Sequence, residues 1–255
     1  MEECRVLCYS AGMDSYCLDR LFDYDEYVFF DVGTDENRHE FQMVTDHIDA
    51  DKLHVINLEG LSSVEMGNKT IPLRNIIFAF LASNFGNVIH LGGTYGDRFN
   101  VRDCDEIAAN LASGLLNHFN AFGYELDTMP QEHAEYRVEF PLCSFTKGEI
   151  LRKTVENTDK TVESVLSETK TCHYGDSSRG CGECEDCLRR ATAAGYTLDS
   201  PDDLDIVLED HFGVNPFESY ETDQELADTF SRRKREFEQF SEVYSDWIFY
   251  AGYQS

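Results

Sequence analysis

Between Arg5 and Leu91 the chain alternates short apolar runs with stretches of helical spacing, and this alternation restricts the fold more than any other feature. Arg5–Ser10, Tyr27–Asp31, His54–Leu58 and Val88–Leu91 read as buried strands that end near Gly, Asp or Ser. Candidate helices lie at Ser15–Leu21, Glu36–Asp46 and Arg74–Asn84. Asp103 with Glu106, and Thr146 with Glu149, carry the capping-box pattern of two further helix starts. Strand and helix in alternation imply an α/β fold, a doubly wound parallel sheet with helices on both faces. Sheets of this kind bind ligands at the carboxyl ends of their strands.

The first such end carries the stretch RVLCYSAGMDS. A strand delivers the chain into a turn of small residues and then into a helix. Ala11 and Gly12 let successive backbone N–H groups converge on an anion, and the helix amino end adds its positive dipole. Ser10 and Ser15 can donate hydroxyl hydrogen bonds to phosphate oxygens. Asp14 repels phosphate directly, and fits if it holds a Mg²⁺ that bridges those oxygens. Ser10, Ala11, Gly12, Met13, Asp14 and Ser15 together resemble the PP-loop, Ser-Gly-Gly-x-Asp-Ser, of the ATP pyrophosphatases, which split ATP between its α and β phosphates. That resemblance implies a PP-loop (HUP-like) sheet with these six residues at the ATP. Ala11 stands where the family has glycine, a change that costs only if the turn needs a positive φ there. Alone, the six residues are equally compatible with a plain strand–helix turn.

Composition narrows the partners. With 49 acidic against 21 basic residues the net charge is −28, and such a surface repels nucleic-acid backbones. The densest basic run, Arg232–Glu236, is flanked by acids and reads as a solvated helix face. The amino end has no basic, long-apolar leader pattern, and the longest apolar run, Ile76–Ala82, is too short to span a bilayer. A cytoplasmic protein is expected, with no nucleic-acid or membrane partner. The diffuse acidity suggests a salty milieu.

In a reducing compartment nine cysteines are free, catalytic or metal-bound. TCHYGDSSRGCGECEDC places Cys181, Cys184 and Cys187 in two overlapping C-x-x-C steps, and Cys172 can complete a four-sulfur site. A closed shell of that kind takes structural Zn²⁺. A redox C-x-x-C is the rival, opposed by the third cysteine and the late position. Residues 1–196, with the knuckle at 172–187, are read as one domain. Residues 197–255 are read as an acidic, partly helical extension, packed on it through Phe237, Phe240 and Trp247 or serving a partner contact.

Turn and knuckle together resemble the 7-cyano-7-deazaguanine synthase family, from about Arg5 to Ala194. DVGTDENRHE is similar to the family's Asp-Tyr-Gly-Gln-Arg-His stretch, and IPLRNIIF to its Pro-x-Arg-Asn segment. GDRFNVRDC keeps Asp97, Asp103 and Cys104 but has Val101 and Arg102 for Tyr-Pro, while FPLCSFTKGEI and CGECEDCLRR complete the series. The resemblance implies that 7-carboxy-7-deazaguanine, ammonia and ATP are the partners. A first adenylation activates the carboxylate for amide formation, and a second activates the amide for dehydration to the nitrile. It implies Asp14, Lys147 and Arg74 as catalytic groups, the two cations offsetting charge on phosphate or carboxylate. It places His39, Asn75, Asp97 and Asp103 at the substrate, with Asp97 and Asp103 at the guanine-like edge or a second metal contact. His39 has a structural role as its alternative, and Cys104 is a packing residue near the pocket. A homodimer is implied too. Three rivals stand beside this: a related enzyme that stops at the amide, a tRNA-modifying pyrophosphatase, and a zinc-stabilised binding protein without activity. The acidic charge opposes the second, and binding of Mg·ATP separates the third.

Overall fold

The computed structural model describes residues 3–66, 70–97, 103–123, 135–170, 172, 180–198, 200–213, 216, 235–236 and 238–239. Five strands form one all-parallel sheet: β1 (Arg5–Cys8), β2 (Glu26–Asp31), β3 (Leu53–Asn57), β4 (Val88–Leu91) and β5 (Arg137–Glu139). Their spatial order is β3-β2-β1-β4-β5, so the chain reverses its direction of winding between β1 and β4. Leu7 pairs with Tyr27 on one side and with His90 on the other. Four strands coincide closely with the expected runs. β5, only three residues long and preceded by residues outside the described set, had no apolar run to announce it.

Side-chain alternation sorts the strands onto two cores. On one face Leu7, Tyr9 and Phe29 pack with Tyr16, Cys17 and Leu18 of α1 (Met13–Leu21) and with Val44 of α2 (Asp35–His47). On the other, Val6, Cys8, Val28 and Phe30 pack with Ala79 and Ala82 of α3 (Arg74–Ala82) and Ala112 and Leu116 of α4 (Glu106–Gly123). The first core continues through α5 (Lys147–Asn157), α6 (Val162–Ser167), α7 (Glu185–Thr197) and α8 (Pro201–Phe212). In α8, Leu204, Val207, Leu208 and Phe212 recur at helical spacing and are all buried in this core. The Ser200 hydroxyl caps the helix by accepting from the Asp203 amide at 3.4 Å, and Gly213, at φ 71°, ends it.

Thr146 and Glu149 form the expected capping box at the start of α5. The expected box at Asp103 does not form. Asp105 caps α4 instead, accepting from the Ala108 amide at 2.9 Å. Asp103 is buried and turns to α3, where its carboxylate accepts from the Asn75 amide at 2.9 Å. Two acids lie within capping distance of α4, and the buried one is drawn to the uncapped first turn of α3. Among the described residues no helix is long and apolar enough to cross a membrane. Phe237, Phe240 and Trp247 lie outside the described residues.

Candidate functional site

A cavity of about 280 Å³ opens at the carboxyl ends of β1 and β4, where the winding reverses. This is the crevice where open α/β sheets bind ligands. Its floor is the β1–α1 turn. Ala11 is fully buried at φ 54°, and its carbonyl accepts from the Lys170 amide at 3.0 Å. Gly12 precedes α1 and has no side chain to cap it, and among the described residues no side-chain oxygen accepts from the first-turn N–H groups of the helix. The Ser10 amide donates to the Ser15 hydroxyl (3.2 Å), which donates to the Gly12 carbonyl (3.1 Å). Uncapped amides beside two hydroxyls make an anion cradle.

Gly92 and Gly93, which follow β4, form the opposite wall. A Cβ at Gly92 would meet the Ser15 nitrogen at 3.2 Å and the Asp14 Cβ at 3.3 Å. A side chain there would press on the cradle. These glycines carried no weight in the sequence analysis; the pair directly after a buried strand is the signal that could have found them.

Around the cradle, charge is balanced although the molecule is strongly acidic. Asp14, Glu40, Asp97 and Asp186 face Arg74, Lys147, Lys170 and Arg189 along the cavity lining. Lys147, at the start of α5, lies 2.5 Å from Asp14 Oδ1. Burial raises the Asp14 pKa, with Lys147 opposing the rise. Arg189, buried on α7, donates to Asp97 Oδ1 at 2.7 Å, to Thr94 Oγ1 at 3.1 Å and to both oxygens of Glu236 at 3.2 and 3.3 Å. Asp97 also accepts from the Thr94 amide (2.8 Å) and hydroxyl (2.7 Å). Burial works against the Asp97 carboxylate, but Arg189, Lys147 and Thr94 outweigh it and hold its pKa well below the usual range.

The fold therefore brings Ser10, Gly12, Met13, Asp14, Ser15, Arg74, Asn75, Asp97, Cys104 and Lys147 to one cavity. Three expected residues are placed elsewhere. Ala11 shapes the turn from beneath, Asp103 caps α3, and His39 is exposed on α2, where Asn37 and Glu40 of the same helix line the cavity. Lys170 and Glu236 were not singled out from the sequence, and Arg189 entered only within CGECEDCLRR, where an arginine trails the knuckle. Arg189 sits in the helix after the knuckle and Glu236 lies far along the acidic tail, so only folding puts them together.

The four cysteines converge as their spacing suggested. The sulfurs of Cys172, Cys181, Cys184 and Cys187 all lie within 4.8 Å of one another. Cys172–Cys184 and Cys181–Cys187 are 3.8 Å apart, and Cys184–Cys187 3.5 Å. Four sulfurs at about 2.3 Å from one ion in a tetrahedron are about 3.8 Å apart. The group thus fits a zinc knuckle with no open position. Arg190 lies beneath it, buried, donating to the Leu166 carbonyl and to Thr169 Oγ1, while its Nε has no acceptor among the described residues. Burial lowers its pKa to about 10, and the neighbouring cysteine sulfurs act in the opposite sense.

A family model described as "Queuosine biosynthesis protein QueC" matches residues 40–197, which include Arg74, Asp97, Lys147 and all four cysteines but begin after the β1–α1 turn. Similar curated proteins are named 7-cyano-7-deazaguanine synthase. The one from Chlorobium phaeobacteroides is 29% identical over 152 residues, 57% of this chain and 60% of that protein. That from Gloeobacter violaceus is 29% identical over 131 residues, 47% of this chain and 49% of that protein. That from Prochlorococcus marinus strain MIT 9312 is 22% identical over 218 residues, 74% of this chain and 92% of that protein. The chain thus spans 60% and 49% of the length of the first two relatives.

Proposed function

We propose, from the premise that the chain belongs to the QueC family of queuosine biosynthesis proteins, that it makes 7-cyano-7-deazaguanine from 7-carboxy-7-deazaguanine, ammonia and ATP. One observation carries this reading: the uncapped amino end of α1, with Ser10 and Ser15, opens into a cavity that also holds Lys147 and Asp14. An anion cradle beside a buried cation suits a polyphosphate better than it suits the neutral parts of a substrate.

A carboxylate oxygen is a poor leaving group and AMP is a good one. On this reading the substrate carboxylate attacks the α phosphorus, pyrophosphate leaves into the cradle, and ammonia displaces AMP to give the amide. A second adenylation, at the amide oxygen, lets loss of AMP and a proton yield the nitrile. The protein supplies positioning and charge stabilisation, with no covalent nucleophile needed. Lys147 offsets charge gathering on the phosphates, and Arg74 at the cavity edge serves phosphate or carboxylate. Asp14 would hold Mg²⁺, which when bound supplies neutralisation of the phosphate oxygens. Phe30 and Phe78, stacked with centroids 4.0 Å apart, give the cavity an aromatic wall for a flat heterocycle. The knuckle's closed sulfur shell gives zinc a structural role.

The test is a mass-spectrometric assay with protein, Mg·ATP, ammonium and 7-carboxy-7-deazaguanine in high salt. Nitrile with stoichiometric AMP is the expected result. Amide as the end product would restrict the reaction to its first half, and no AMP from folded, zinc-loaded protein would overturn the synthase reading.

A further inference from the structure

Resting on the ATP reading above, we infer that Lys170 is a phosphate-binding residue of this site, taking the pyrophosphate portion of the nucleotide together with Lys147. Of the four cations that line the cavity, Lys147 faces Asp14 at 2.5 Å, and Arg189 is held by Asp97 at 2.7 Å and by Glu236 at 3.2 Å. Arg74 is half-buried beside the Phe78 ring, 6.0 Å from its centroid. Lys170 is 5% exposed, and its ammonium has no hydrogen bond or ion pair among the described residues. That ammonium is not among the fully buried nitrogens left without a partner, so it reaches the cavity space, where an entering anion would meet a cation not already paired among the described residues.

The segment that carries it is fastened on several sides. The Lys170 amide donates to the Ala11 carbonyl at 3.0 Å, beneath the cradle. A Cβ at Gly12 would meet the Lys170 carbonyl at 3.5 Å, so the two backbones run in contact. Glu168 accepts from the Tyr16 hydroxyl at 2.6 Å and from Lys160 at 2.9 Å. Arg190 reaches the Leu166 carbonyl and, at 3.0 Å, Thr169 Oγ1. Two residues further on, Cys172 enters the sulfur cluster. These contacts place Lys170 against the turn before any ligand arrives. An ammonium so placed can neutralise a departing pyrophosphate without reorganisation. Nothing in the local sequence marks it, since a lone Lys between Thr169 and Thr171 has no motif.

The test is calorimetric titration of the purified, zinc-loaded protein with magnesium pyrophosphate and with Mg·ATP. Wild type, Lys170→Met and Lys170→Arg are compared, with the melting temperature of each measured without ligand. One charge-assisted hydrogen bond to phosphate corresponds to about tenfold or more in affinity. Lys170→Met is expected to bind both probes at least about tenfold more weakly, and Lys170→Arg within a few-fold of wild type. The ligand-free Met variant should melt within a few degrees of wild type, because the ammonium makes no hydrogen bond or ion pair among the described residues. Equal affinity in wild type and the Met variant would overturn the assignment while leaving the ATP reading intact. A Met variant that unfolds, or melts several degrees lower, would also overturn it, by showing that the protein itself satisfies the ammonium. A wild type that binds neither probe would overturn both inferences together.

Discussion

Ala11 adopts φ 54° in the turn, a region that disfavours any side chain with a Cβ by about 1–2 kcal/mol. Ala11→Gly relieves that strain but frees the unfolded chain and removes a buried methyl. It is expected to change stability by less than about 1 kcal/mol in urea denaturation. The same exchange at Ala79, buried inside α3, should cost more, about 1–2 kcal/mol, since only a penalty remains. Asp14→Asn should lower AMP formation by about a hundredfold or more, at a stability cost of about 1–3 kcal/mol because Lys147 loses its carboxylate partner. Undiminished turnover would remove Asp14 from the mechanism. The folded pKa of Asp97 lies below that of the unfolded chain, so its stabilisation is complete above about pH 4 and fades as acid protonates it. Asp97→Asn is expected to cost about 1–3 kcal/mol at pH 7, Glu236 still covering part of the Arg189 charge. That deficit should shrink steadily below pH 4 in paired acid-denaturation curves.

At the scale of elements, the knuckle joins the site to α8. Gly180 lies so close that a Cβ there would meet Cys187 Sγ at 2.7 Å and the Phe212 ring at 2.8 Å. Gly180→Ala should therefore cost about 1–3 kcal/mol through overpacking, and the purified variant should carry less than the full complement of zinc by metal analysis. Removing the metal with a chelator is expected to lower the melting temperature, since ligand convergence and folding are linked. Because Cys172 follows Lys170 by two residues, chelation should also weaken pyrophosphate binding, although the knuckle has no open coordination position. Retained melting behaviour in metal-free protein would separate the sulfur cluster from the fold.

For the whole molecule, a charge of −28 implies repulsion between surface carboxylates. The Debye length falls from about 10 Å at 0.1 M salt to about 3 Å at 1 M. The melting temperature is therefore expected to rise over that range, whereas the buried pairs of Asp14 with Lys147 and of Arg189 with Asp97 are screened far less. A melting temperature that falls with added NaCl would argue that partly exposed pairs such as Lys160 with Glu168, 2.9 Å apart, dominate over the repulsion.

The sequence by itself determined what depends on local pattern. Four strands, the turn after β1, the capping box of α5 and the convergence of four cysteines were all readable, because periodicity, small residues and ligand spacing act over a few neighbours. Only the tertiary structure decided what depends on distant segments meeting. The three-residue β5 forms because β4 offers it an edge, and Asp103 caps α3 because the fold brings it to Asn75. Residues 200–213 share the main core because Phe212 and its neighbours bury there beside the knuckle. Arg189 meets Asp97 across 92 positions, Glu236 closes over it from the tail, and Lys170 is carried to the cradle by a backbone bond to Ala11. None of these pairings leaves a periodic trace in the chain, since each arises from packing between elements.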